Sequence, residues 1–200
     1  MSIFSLKTKN LFKHLYLFII IIFSFVINWQ LSKIGVFPMD TFLHYDSSYR
    51  ILKGEIPIRD YWIVSGAFVD FLQAFFFKIF GINWLAYTIH SSLLNLAISV
   101  FTFQILIKLK LKEVFAFFYT ICFSILAYPI SGTPFLDLHA TFFSLIAFYF
   151  LILALEDPKK KKKLVFNSIF FLCFFFIKTS ACSLFSYSKH INSCSLFIVI

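Results

Sequence analysis

The chain has 200 residues, of which 60% are hydrophobic and 32 are phenylalanine, with 14% charged and a mean hydropathy of +0.89. A soluble domain of this length does not carry so much apolar surface, so the composition specifies an all-α, polytopic membrane protein. The net charge of +9 does not signal nucleic acid: residues 159–163 supply five lysines in one run beside an apolar segment, and no basic stripe is interleaved with a soluble fold.

In chain order, residues 1–14 form a short basic start with Lys7, Lys9 and Lys13. The first predicted span covers residues 15–37, crossing Lys33 near its end. At ~1.5 Å per residue, about 20 residues cross the ~30 Å hydrocarbon core. The run exceeds the roughly 7–15 apolar residues of a signal peptide and no small-x-small cleavage site follows, so the helix is expected to stay attached.

Residues 38–66 form the polar loop, with Asp40, His44, Asp46, Arg50, Lys53, Glu55, Arg59, Asp60, Tyr61 and Trp62. Asp46 and Arg50 are four apart and would share a helix face; Gly54 with Pro57 would end that helix before Asp60. Residues 67–82 are mostly apolar but carry Asp70, Gln73 and Lys78, which suits an amphipathic interfacial segment better than a short inclined span. Further spans are predicted over 84–107, 114–130, 140–155 and 164–177, about five in all. Asp137 and His139 stand at the end of the loop between the third and fourth.

The lysine clusters set the orientation. Placing residues 1–14, 108–113 and 156–163 on the cytoplasmic side leaves residues 38–83 and 131–139 outside, in an inner (plasma) membrane with the amino terminus in. Six of the nine acids (Asp40, Asp46, Glu55, Asp60, Asp70 and Asp137) then fall outside. Residues 1–178 are read as the transmembrane region. Beyond them, residues 179–200 are serine-rich and lose the phenylalanine density, as expected of a truncated or frame-shifted tail; a short genuine tail with one weak apolar segment is the alternative. Lys78 and Lys178 are read as snorkelling.

Cys122, Cys173, Cys182 and Cys194 form no CxxC pair. Cys182, His190 and Cys194 match no zinc spacing, so no metal site is predicted. There is no Gly-x-Ser-x-Gly, no phosphate loop ending in Gly-Lys-Ser/Thr and no HExxH. Among the strong spans His90 is the one clear ionisable residue, which disfavours a transporter.

The polar loop also carries a resemblance. His44-Tyr45-Asp46, Tyr49-Arg50, Gly54-Glu55-Ile56-Pro57, Arg59-Asp60-Tyr61-Trp62 and Phe80-Gly81 resemble the first outer loop of GT-C-type membrane glycosyltransferases, which include protein mannosyltransferase-like and aminoarabinose-transferase-like enzymes. Residues 128–139, with Pro129, Gly132, Pro134, Asp137 and His139, look like a later outer loop of the same enzymes. The resemblance covers residues 40–155. It departs from the family at Ala67, where members usually have a proline soon after the position of Gly66, and in length, since members have more spans, so the chain resembles an amino-terminal fragment of such an enzyme.

What the resemblance implies is transfer of a sugar from a polyprenyl-phosphate donor, a membrane lipid, to an acceptor on the outer face. An acceptor attacking the anomeric carbon loses a proton as the bond forms, so a carboxylate is required. The family's motif puts Asp46 first in that role and Asp60 second, as an acceptor-binding or supporting acid. Arg50, Lys53 and Arg59 would hold the donor phosphate through charge-assisted bonds, and Tyr61, Asp137 and His139 would complete substrate binding. Each has a structural alternative: Asp46 paired with Arg50 on a solvated helix, Asp60 capping a turn, Asp40 as a loop or cap residue, Asp137 and His139 as loop residues. A noncatalytic membrane scaffold or partner subunit, whose acidic loop keeps one face soluble, is the competing reading of the whole chain. The cofactor, sugar, acceptor and oligomeric state are not readable from these residues.

Overall fold

The computed structural model describes residues 3–36, 38–63, 66–128, 131–156, 162 and 164–169. Six helices follow one another: α1 (Ile3–Leu31), α2 (Pro38–Leu52), α3 (Phe68–Phe80), α4 (Trp84–Lys108), α5 (Glu113–Leu126) and α6 (Leu136–Glu156). Residues 164–169 are also helical. Among the described residues there is no strand, only an isolated bridge pairing Pro57 with Tyr61. The protein is therefore all-α.

Among the described residues three helices are long and apolar enough to cross a membrane: Phe12–Leu31, Trp84–Lys108 and Leu136–Leu155. The 14 residues of α5 are apolar but reach only about 21 Å as a helix, short of a ~30 Å core. The sequence predicted α5 to run to residue 130; it stops at Leu126. Of the predicted span 164–177 only 164–169 is described, and residues 179–200 lie outside the described residues.

The chain divides into two compact units, residues 1–43 with 76–134, and residues 44–75 with 135–200. In the first, α1, α4 and α5 pack on one another. Ile20, Phe103 and Ala116 form a buried cluster wrapped by Tyr16, Leu17, Leu106, Ile107 and Phe117, with Tyr16 stacked on Phe117 at 4.8 Å between ring centroids. Much of the rest of this interface is polar. Ser24 and Asn28 of α1, Ser91, Ser92, Asn95 and Ser99 of α4, and Thr120 and Ser124 of α5 are all fully buried. Small side chains let helix backbones approach; Asn28, Ser91, Ser92 and Asn95 find partners across the seam, while the hydroxyls of Ser24, Ser99, Thr120 and Ser124 bond back within their own helices. Asn95 Nδ2 donates to the Ser124 carbonyl at 3.0 Å and the Ser24 carbonyl at 3.3 Å; Asn28 Nδ2 donates to Ser91 Oγ at 3.0 Å and Ser92 Oγ at 3.1 Å.

The loop before α6 is tied into the same seam. The Gly132 carbonyl accepts from Asn28 Nδ2 and from Ser91 Oγ, and Thr133 Oγ1 lies 3.2 Å from Thr41 Oγ1. Asn83 caps α4 by accepting from the Ala86 amide at 2.8 Å. At the far end of α4, Lys110 adopts φ +63°, the Leu111 amide donates to the Leu106 carbonyl and the Lys110 amide to Ile107: a Schellman stop that turns the chain into α5.

The second unit holds the later part of α2, the polar loop, the start of α3, and α6. Phe68 meets Phe143 of α6 edge-on at 5.5 Å, and Ser168 donates to the Ala147 carbonyl.

Helix α3 is amphipathic in an unusual sense. Its polar residues Asp70 and Gln73 are buried, while Phe71, Phe75 and Ile79 on the other side are more than half exposed. A water-facing interfacial helix turns its polar side outward; here that side turns into protein and the apolar stripe faces out.

Candidate functional site

The polar loop begins as a helix because residues 38–52 offer Pro38 at its first position, Asp40 in its first turn and Arg50 in its last. It stops where the sequence places Gly54. That residue takes φ +89°, the Glu55 amide donates back to the Arg50 carbonyl and the Gly54 amide to Ile51, closing a second Schellman turn. The turn returns the chain along its own helix, which is why Glu55 meets Arg50.

On this surface Arg50 is the hub. Its Nε donates to Asp46 Oδ2 at 2.7 Å, its Nη1 to Glu55 Oε2 at 3.2 Å, and its guanidinium carbon lies 5.4 Å from the centre of the Tyr61 ring. Tyr61 in turn donates to the Ser47 carbonyl at 3.2 Å, and Lys53 sits over the Tyr49 ring. Asp46 is 60% exposed, so the pair is screened by water and serves to orient the carboxylate rather than to hold the fold. Burial, with the charge of Asp70, pushes the Tyr61 phenol up to about 12. At neutral pH it donates a hydrogen bond and does not act as a base.

Asp60 does something different. Its Oδ2 accepts the Ile56 amide at 2.7 Å while the Asp60 amide donates to the Ile56 carbonyl, and both carboxylate oxygens accept from Arg59. The Ile58 amide donates to the Tyr61 carbonyl within the same turn, holding Ile58 at φ +74°. A β-branched residue at positive φ is strained, so these bonds keep a conformation that Ile58 itself resists. The hydrogen bonds from Arg59 and from the Ile56 amide lower the Asp60 carboxyl from 3.8 to about 2. Because the folded value lies below the unfolded one, the ionised carboxylate supports the turn fully above about pH 4, and that support is lost as the pH falls toward 2. Protection of the Ile56 amide, its exchange rate set against that of an unstructured chain at the same pH, is expected to fall over that window and to be low at neutral pH in Asp60→Asn; full protection in the variant would remove Asp60 from the turn.

Beneath this surface lies a pair that the sequence did not single out. His44 Nδ1 is 2.6 Å from Asp70 Oδ1, joining α2 to α3, and the two residues are 4% and 3% exposed. Burial raises the Asp70 carboxyl above its ordinary value, and the bond with His44 opposes that rise. With the carboxylate as acceptor, the His44 proton sits on Nδ1, which leaves Nε2 as the basic nitrogen. His139 of α6 is buried in the same unit, with Nδ1 2.8 Å from the Phe135 carbonyl. It borders a recess of about 10 Å³ with Gly66, Phe68, Val69 and Leu136, room for about one water. The available signal was Asp70 itself: an acid in an otherwise apolar helix needs a buried partner, and His44 is the nearby residue able to supply one.

All the residues predicted for the site fall in the second unit. The structure brings Asp46, Arg50 and Tyr61 together, and separately Arg59 with Asp60. Helix α6 begins at Leu136, not at residue 140 as its sequence suggested, so both residues stand in the first turn two positions apart, with Asp137 exposed and His139 buried. Among the described residues no three His, Cys, Asp or Glu side chains gather as a metal ion requires. No protein-family model, no curated protein and no solved structure matches the chain.

Proposed function

We propose that the protein is a membrane glycosyltransferase that moves a sugar from a polyprenyl-phosphate donor to an acceptor on the outer face of the inner membrane. The observation that carries the reading is the exposed Asp46 carboxylate, aimed by Arg50 on the surface of an acid- and arginine-rich loop between apolar helices. An acceptor O–H or N–H attacks the anomeric carbon, the bond to the phosphate oxygen breaks, and the proton passes to the carboxylate. Negative charge grows on the departing polyprenyl phosphate, which suits the cations Arg50, Lys53 and Arg59. The same reading has about five crossings with the amino terminus cytoplasmic and α3 lying in the interface.

A noncatalytic scaffold or partner subunit is favoured by one specific feature: the loop acids already have structural work. Asp46 and Glu55 engage Arg50, and Asp60 closes its turn. The two readings separate in a transfer assay with labelled polyprenyl-phosphate sugars in membranes holding the chain or its Asp46→Asn variant at equal amounts. Transfer that falls by at least about a hundredfold in the variant supports the base. Equal transfer removes Asp46 from the chemistry, and none from either chain supports the scaffold.

A further inference from the structure

The other end of the first unit carries a second polar feature, and it is cationic. A recess of about 320 Å³ opens between the middle of α1 and the end of α4, lined by Lys13, His14, Leu17, Phe103, Gln104, Ile107 and Lys108. Its floor is apolar: Leu17, Phe103 and Ile107 belong to the core where α1, α4 and α5 pack. Its rim is basic and polar. Lys13 is the second residue of the span Phe12–Leu31 and Lys108 the last of the span Trp84–Lys108, so both lysines stand at the ends of membrane-length apolar segments.

We propose that this recess binds an anionic phospholipid, with the headgroup phosphate between Lys13 and Lys108 and the upper acyl chain against Leu17, Phe103 and Ile107. A free phosphate would use the cations and leave the apolar floor wet; a zwitterionic lipid would cover the floor but bring its own cation to the lysines. The ligand that satisfies both parts has a net negative head and a hydrocarbon tail. Two features of the fold hold the lysines in place. The Schellman stop at Lys110 ends α4 one turn after Gln104, so Lys108 is fixed in its last turn. The Tyr16–Phe117 stack fixes the middle of α1, next to Lys13, against α5. The carbonyl end of α4 by itself disfavours an anion, which is why two lysines rather than one are needed at this rim. Glu113, the one acid in the first turn of α5, marks where α5 begins and does not line the recess.

The test uses the whole chain in nanodiscs of phosphatidylcholine with a minor share of phosphatidylglycerol, read by native mass spectrometry of the lipid retained on release into detergent. A lysine at the membrane surface favours an anionic head about fivefold, so the wild type is expected to retain phosphatidylglycerol in marked excess over its share, and Lys13→Gln/Lys108→Gln to lose on the order of tenfold of that excess. Lys110→Asn/Lys112→Gln removes the same charge from the same end outside the recess, while asparagine keeps the left-handed backbone of the stop, and is expected to lose less than about twofold. Equal losses in the two double variants would mean diffuse surface charge and overturn the site. So would unchanged retention in both. Displacement of phosphatidylglycerol by inorganic phosphate at matched concentration would make this a phosphate site without a lipid requirement, and would equally overturn the proposal. Both lysine pairs are at least partly exposed, so neither variant disturbs the packed core.

Discussion

Asp70→Ala is expected to destabilise the protein by about 2–5 kcal/mol, among the largest effects of any single substitution here. The change leaves the buried His44 Nδ1–H without its acceptor, in a place that water does not reach freely. The upper figure applies if the imidazole is cationic and must sit unpaired, the lower if it is neutral and loses one hydrogen bond. Asp70→Asn keeps an oxygen at the same position and is expected to cost only about 1 kcal/mol. Denaturant unfolding in detergent distinguishes these, and the double variant His44→Ala/Asp70→Ala should fall short of the summed single losses by about 1–3 kcal/mol. Additive losses would show that the two side chains do not act as a pair. The result also bears on the proposed chemistry, because α2 carries both His44 and Asp46 and its hold on α3 runs through this bond.

Gly132→Ala is expected to cost about 2–4 kcal/mol, for a reason unconnected with charge. Gly132 has φ +58°, and a Cβ built there would lie 2.5 Å from the Ser32 amide nitrogen and 2.7 Å from the Asn28 carbonyl oxygen. Those are backbone atoms of the end of α1 and the turn that follows it, and they cannot swing aside as a side-chain tip would. The loop would have to withdraw, pulling its carbonyl away from Asn28 and Ser91 and leaving their polar groups buried. Gly54→Ala is the control: φ is +89°, yet nothing lies within 4 Å of the new Cβ. Its loss should therefore stay near the ~1–2 kcal/mol of left-handed backbone alone. Thermal unfolding of both variants in one detergent measures the difference. Equal losses at the two positions would mean that the close approach of residue 132 to α1 carries no energy.

Much of this architecture was legible in the chain. A membrane protein of helices follows from composition and from apolar runs about 20 residues long, because backbone polar groups in lipid have to be satisfied within the segment. The end of α2 was readable at Gly54, since glycine alone takes that backbone turn cheaply. The Asp46–Arg50 contact was readable from a spacing of four on a helix. The bond from Asp60 to the Ile56 amide was anticipated only as one alternative, because a carboxylate that closes a turn and one that meets a substrate look alike in sequence.

Local sequence also determined where the charges fall, and the second unit collects the acids and arginines of the polar loop because they are near one another along the chain. Tertiary structure alone decided which of them are buried and with what. His44 and Asp70 are 26 residues apart, and no periodicity links them; the fold joins them because an acid in an apolar helix is stable only against a partner. The same holds for the seam of Ser24, Asn28, Ser91 and Asn95, where residues that read as mild interruptions of apolar spans become the contact surface of three helices. Periodicity reports one helix against its solvent. Pairing between helices depends on which small residues let two backbones approach, and that is a property of both helices together.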